Sequence, residues 1–88
     1  MAHYSVLLKP SIEKDLRPLP RSIISRIMQR IRALAEEPLP RSAVKLAGAE
    51  RTYRLRVGDY RVVYSVDVDA KVVTVHYVRH RSDAYRTH

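Results

Sequence analysis

The chain has 88 residues, with 17 Lys or Arg against 9 Asp or Glu, a formal net charge of +8 and a pI near 10.3. This length suits one domain with a small core. The absence of cysteine excludes disulfide support and thiol chemistry. No apolar run approaches the roughly 18–20 residues of a membrane span, and the basic-then-apolar order of a secretory signal is missing. The expectation is therefore a single soluble, cytoplasmic domain over residues 1–88. So strong a positive charge on so short a chain calls for an anionic partner: nucleic acid, an acidic protein, or both in turn. Most of the cations are arginine, which suits bidentate contact with phosphate or carboxylate. No helical pattern combines a wide apolar face with exposed aromatic anchors, so a membrane surface is not expected.

His3 to Lys9 (HYSVLLK) reads as a first strand. Pro10 suits the start of a helix, and Pro18 and Pro20 confine it to Ser11–Arg17. A longer helix is expected from Arg21 to Glu36. Its apolar stripe is Ile23, Ile27, Ile31 and Leu34, joined by Ile24 and Met28, with Arg26, Arg30 and Arg32 mostly off it. Pro38 and Pro40 end it. Leu39 to Arg51 is a connector that carries Lys45, Leu46 and Gly48.

Tyr53 to Tyr64 (YRLRVGDYRVVY) reads as a β-hairpin with Gly58-Asp59 as its two-residue turn. Val57 then pairs with Tyr60, and Arg56 lies opposite Arg61. Alternation puts Tyr53, Leu55, Val57, Tyr60, Val62 and Tyr64 on one face, and Arg54, Arg56, Arg61 and Val63 on the other. Like charges opposite one another destabilise a sheet. Three guanidinium groups on one face therefore suit a surface that receives a phosphate chain; a merely solvated face is the alternative. Val66 to Lys71 is a turn, Val72 to Val78 (VVTVHYV) the last strand, and Arg79 to His88 a basic tail. The order β-α-α-β-β-β implies an α+β fold, with two N-terminal helices packed on a mainly antiparallel four-stranded sheet. The apolar hairpin face should pack under the long helix, leaving the arginines in a concave groove.

The order of elements, Lys45-Leu46-x-Gly48, the Tyr-Arg-Leu-Arg…Gly-Asp-Tyr-Arg-Val-Val-Tyr hairpin and the Arg-His-Arg-Ser-Asp-Ala-Tyr-Arg tail together resemble the RelE branch of the RelE/ParE toxin superfamily. The resemblance implies a RelE-like fold and a toxin of a type II toxin–antitoxin pair. It implies entry into the ribosomal A site and cleavage of mRNA without a metal. There the 2′-hydroxyl attacks the adjacent phosphate, leaving a 2′,3′-cyclic phosphate and a free 5′-hydroxyl. The implied partners are a RelB-like antitoxin, the ribosome and mRNA, with a monomeric free toxin and a heteromeric antitoxin complex. Carried over residue by residue, it assigns the active surface to Arg54, Arg56, Arg61, Arg79 and Tyr85.

In-line attack needs proton removal, charge stabilisation on the phosphate and protonation of the leaving oxygen. Arg54, Arg56 and Arg61 suit the second task, and Arg79 can hold the phosphate or approach the leaving oxygen. Some members of the resembled family carry lysine at the first two basic positions, and arginine does not surrender its proton. Proton transfer therefore falls to Tyr85, whose phenolate a guanidinium cluster would favour, with His80 as the alternative. Lys45, Arg81 and Arg86 join Arg54, Arg56 and Arg61 as expected RNA contacts. His76, inside the last strand, reads as structural. The carboxylates are scattered without metal-ligand spacing, so neither metal nor cofactor is expected. Two other readings remain open: a ParE-like inhibitor of DNA gyrase without nuclease activity, and a nucleic-acid-binding relative that has lost catalysis.

Overall fold

The computed structural model describes residues 3–81. Over them the chain runs β1 (Ser5–Leu8), α1 (Ser11–Leu16), α2 (Arg21–Ala33), β2 (Val44–Lys45), β3 (Thr52–Val57), β4 (Tyr60–Asp67) and β5 (Val72–His80). One sheet contains all the strands, in the order β1-β5-β4-β3-β2. β1 runs parallel to β5, whereas every other neighbouring pair is antiparallel. Both helices lie in the connection between β1 and β2, as a parallel pair with its long crossover demands. The α+β class agrees with the sequence, but the strand count does not: five strands stand where four were expected. The additional one, β2, is only two residues long and pairs Val44 with Arg54 and Lys45 with Tyr53. Two residues cannot display an alternating pattern, so the pairing comes from β3's open edge rather than from any local signal.

Pro20 has extended backbone (φ −60, ψ 149) and opens α2. The helix ends at Ala33, three residues before the expected Glu36. Its last turn tightens, with Leu34 N–H donating to the Ile31 carbonyl and Ala35 N–H to that of Arg32. Tyr4 N–H then takes the Ala35 carbonyl at 2.7 Å and ties the helix end to the start of β1. β5 overruns its expected end at Val78 and continues to His80.

The apolar stripe of α2, continued by Leu34 just past its end, buries Ile27, Ile31 and Leu34 against Leu55, Val57, Val62, Tyr64, Val66, Val73, Val75 and Val78 of the sheet. Ile12 of α1 and Tyr4 complete the cluster, and Ile23 and Met28 pack on its margin. Tyr64 is wholly buried. Its hydroxyl donates to the Pro38 carbonyl at 2.8 Å, so the ring fills the core while its polar tip is satisfied. Burial, with the Tyr53 ring beside it, raises the Tyr64 pKa from 10.0 to about 12.

One irregularity interrupts the sheet. Val63 of β4 pairs with Tyr77, but the next residue, Tyr64, pairs with Val75. His76 is thus an extra residue in β5, a β-bulge. Val73 and Val75 face the core before it, and Val78 faces the core after it. The His76 ring shares a 2.9 Å hydrogen bond between Nε2 and Ser65 Oγ. Its pKa is lowered from 6.5, first by burial and then by the charge on Lys9.

Tyr64→Phe should cost about 1 kcal/mol in urea unfolding at pH 7, because it removes one satisfied hydrogen bond while keeping the ring. The raised phenol pKa means the folded state holds this proton longer than the unfolded chain does. That contribution is fully present below pH 10 and is lost as pH rises towards 12. Wild-type stability should therefore fall more steeply than that of the Phe variant across this window. His76 has the opposite sign. Its depressed pKa makes the unfolded chain bind the proton first, so stability is present above pH 6.5 and lost as pH falls below it. Thermal unfolding of His76→Gln from pH 7 to 5 should show a flatter decline than wild type.

Candidate functional site

The turn that sets the hairpin register rests on Gly58, whose φ of +58 lies in the left-handed region that glycine tolerates best. With Gly58-Asp59 as the loop, Val57 pairs with Tyr60, Arg56 with Arg61, and Arg54 with Val63. Arg61 in turn pairs with Arg79 across β4 and β5. Arg56, Arg61 and Arg79 thus form a row across three adjacent strands, with Arg54 on the same face. Leu55, Val57 and Val62 point the other way into the core.

The bulge at His76 is what brings Arg79 into this row. Strict alternation from Val73 and Val75 would send Tyr77 and Arg79 into the core and Val78 outward. The extra residue reverses the phase, so Val78 is buried and Tyr77 and Arg79 emerge on the arginine face. The sequence does carry a signal for this: apolar residues at 73 and 75 followed by one at 78, with an arginine where the core would otherwise continue.

Two hollows indent the face. One, of about 160 Å³, is lined by Ser42, Val44, Arg54, Arg56 and Arg61. The other, of about 120 Å³, is lined by Leu46, Arg54, Arg61, Val63, Tyr77 and Arg79. Arg54 and Arg61 wall both. Among the described residues no carboxylate lines either one, so the local field favours an anion. A larger depression of about 490 Å³ extends the face past Tyr77 and His76 to Thr52, Lys9 and Ser11. Arg56 Nε donates to the Gly58 carbonyl at 3.4 Å. The Arg79 guanidinium lies 4.6 Å from the centre of the Tyr77 ring.

Other expected residues lie elsewhere. Lys45 pairs with Tyr53, so it shares the helix-side face and not that of the arginines. His80 pairs with Tyr60 and meets its ring edge-on at 5.1 Å, also on the helix side. It borders a cavity of about 520 Å³ with Lys14, Asp15, Leu19 and Arg79, so Arg79 stands between this cavity and the arginine face. Arg81 is exposed, and its N–H donates to the Asp59 carbonyl at 2.6 Å, just beyond β5. Tyr85 and Arg86 lie outside the described residues. Tyr77, as a neighbour of the cluster, escaped sequence reasoning because its place depends on the bulge.

The family described as "ParE toxin of type II toxin-antitoxin system, parDE" matches residues 6–85 of this chain. Toxin RelG of Mycobacterium tuberculosis is 30% identical over 84 residues, an alignment covering 94% of this chain and 97% of that protein. Among solved structures, the archaeal RelE–RelB complex from Pyrococcus horikoshii superposes with a TM-score of 0.81 at 34% identity, covering 90% of this chain and 96% of that one. The toxin–antitoxin complex RelBE2 from Mycobacterium tuberculosis gives 0.78 at 30% identity, covering 91% and 100%. With a family match over nearly its whole length and full-length similarity to RelE-type proteins, the chain belongs to the RelE/ParE superfamily as a RelE-like toxin of a type II toxin–antitoxin system.

Proposed function

We propose that this toxin is a ribosome-dependent mRNA endonuclease whose arginine face holds the scissile phosphate. The observation that carries the reading is the Arg56–Arg61–Arg79 row with Arg54 beside it, around hollows that no described carboxylate lines. Such a cluster is unfavourable in an empty surface and favourable once a phosphodiester neutralises it. The names of the full-length relatives favour the RelE type over a gyrase inhibitor.

In the proposed reaction the ribose 2′-oxygen loses its proton and bonds to phosphorus, and the bond from phosphorus to the 5′-oxygen breaks. The leaving oxygen takes up a proton, giving a 2′,3′-cyclic phosphate and a 5′-hydroxyl. Arg54, Arg56 and Arg61 stabilise the charge that builds on the non-bridging oxygens, as preorganised donors do. Arg79, at the end of the row, holds the phosphate near the leaving oxygen. Proton transfer is assigned to Tyr85, with His80, which packs edge-on against Tyr60, as the alternative. Arg81 and Arg86 extend the RNA path along the tail. The ribosome supplies the alignment of the mRNA for in-line attack, a contribution that can be large. No step is assigned to a metal. The reaction belongs in the cytoplasm, where translating ribosomes are. By the precedent of the RelE–RelB complexes, the +8 toxin is held inactive by an acidic, RelB-like antitoxin that folds on contact.

Primer extension on translating ribosomes tests the reading. Cuts in the A-site codon are expected from the purified toxin, whereas blocked supercoiling with intact mRNA would assign it to gyrase. Rapid, metal-stimulated cleavage of naked RNA would also overturn the mechanism. Arg61→Ala should slow ribosome-dependent cleavage by about 10²-fold or more. Tyr85→Phe should lower single-turnover cleavage by roughly 10²–10⁴-fold with little change in ribosome affinity. A Phe variant close to wild type would remove Tyr85 from proton transfer. Co-expression with the product of the adjacent reading frame should yield a stable complex on pull-down, and a harmless, partner-free toxin would argue for lost activity.

A further inference from the structure

We propose that Asp15 is the positioning residue of the arginine face, fixing Arg79 before any anion arrives. The rate effect rests on the nuclease reading above; the positioning itself does not.

β1 accompanies β5 only from Val72 to Val75. The last contact on that side is Lys9 N–H donating to the Val75 carbonyl at 3.1 Å. Beyond it α1 takes the place of a strand along the edge of β5. Asp15 Oδ2 accepts the Val78 N–H at 3.0 Å, standing in for the missing strand's carbonyl. Its other oxygen, Oδ1, lies 3.1 Å from Arg79 Nη1. The same Nη1 donates to the Val78 carbonyl at 3.2 Å, and the guanidinium plane rests near the Tyr77 ring. One carboxylate thus holds the backbone at Val78 and the side chain at Arg79. The Asp15 side chain is 17% exposed and Arg79 44%, so the anchor is the more buried partner.

This arrangement secures one corner of the fork and leaves Nε and Nη2 as the donors Arg79 can offer an anion. An arginine otherwise loses much rotamer freedom when it grips a phosphate. Asp15 removes that freedom beforehand. The same carboxylate repels an approaching phosphate, so its two effects have opposite signs: it orients Arg79 for the reaction and weakens ground-state attraction. A purely structural edge cap would not separate them.

Asp15→Asn keeps an oxygen for the Val78 N–H and removes the charge that holds Arg79. In the free toxin, the heteronuclear NOE of Arg79 Nε–Hε should be close to backbone values. In Asp15→Asn it should fall to that of exposed Arg32. Affinity for a short fluorescein-labelled single-stranded RNA should hold or tighten by about 2- to 3-fold, while single-turnover cleavage on ribosomes slows by about 10-fold or more. Glu13→Gln, on the same helix in an exposed pair with Arg17 at 3.5 Å, should change none of these. A mobile Arg79 in the wild-type toxin overturns the assignment even if the variant does not fold. So does an unchanged NOE in Asp15→Asn, or a parallel loss of affinity and rate. A wild-type toxin that cuts no mRNA would overturn the nuclease reading alone, with the NOE and RNA affinity still deciding the role of Asp15.

Discussion

Period-two alternation along the strands allows an arginine only the solvated face of a sheet whose other face is core, and the whole surface of this toxin follows from it. In β3 and β4 the pattern is regular: Leu55, Val57 and Val62 go inward, and Arg54, Arg56 and Arg61 outward. In β5 the pattern conflicts with itself, because Val73 and Val75 would drag Arg79 into the core. A buried, unpaired guanidinium is far more costly than one displaced rung of hydrogen bonds. The bulge at His76 is the cheaper solution, and it puts Arg79 directly across from Arg61.

The small core bears the cost of that surface. Opposed arginines repel, so the hairpin must be held by what lies beneath it. Val57 and Leu55 under β3, Val62 and Tyr64 under β4, and Ile27 and Ile31 of α2 form one buried cluster. Tyr64 links this cluster to the chain that follows α2 through its bond to Pro38. That contact keeps the segment leading to β2 close to the sheet, where Ser42 and Val44 wall the first hollow. Stability on the helix side and anion attraction on the open side are thus two consequences of one register.

The face is not uniform. Arg54 and Arg61 stand between two hollows at its centre, whereas Arg79 sits at the margin, braced by α1 and by Tyr77. Lys45 and His80, both attractive as sequence, fall on the far side because each is paired with a tyrosine of the core-facing set. The chemistry of the face is consequently dominated by guanidinium groups, which stabilise charge and do not exchange protons.

Much of this was legible in the residues. Two short apolar–polar alternations about Gly58-Asp59 specify the hairpin, its register and the shared face of Arg54, Arg56 and Arg61, because turn chemistry and strand period are local. The stripe of Ile23, Ile27 and Ile31 likewise specifies α2 and its buried side. What the tertiary structure alone decided depends on contacts far apart in sequence. β2 exists because β3 has an open edge. The turn after α2 is tied to β1 by Tyr4 N–H at the Ala35 carbonyl. The change of phase at Val78 hints at a break in β5, but the pairing with β4 places the bulge at His76, and Asp15 reaches Val78 N–H from 63 residues away. Local pattern determines which way a side chain points along a regular strand; only the packed molecule determines where that regularity breaks and what meets the side chain there.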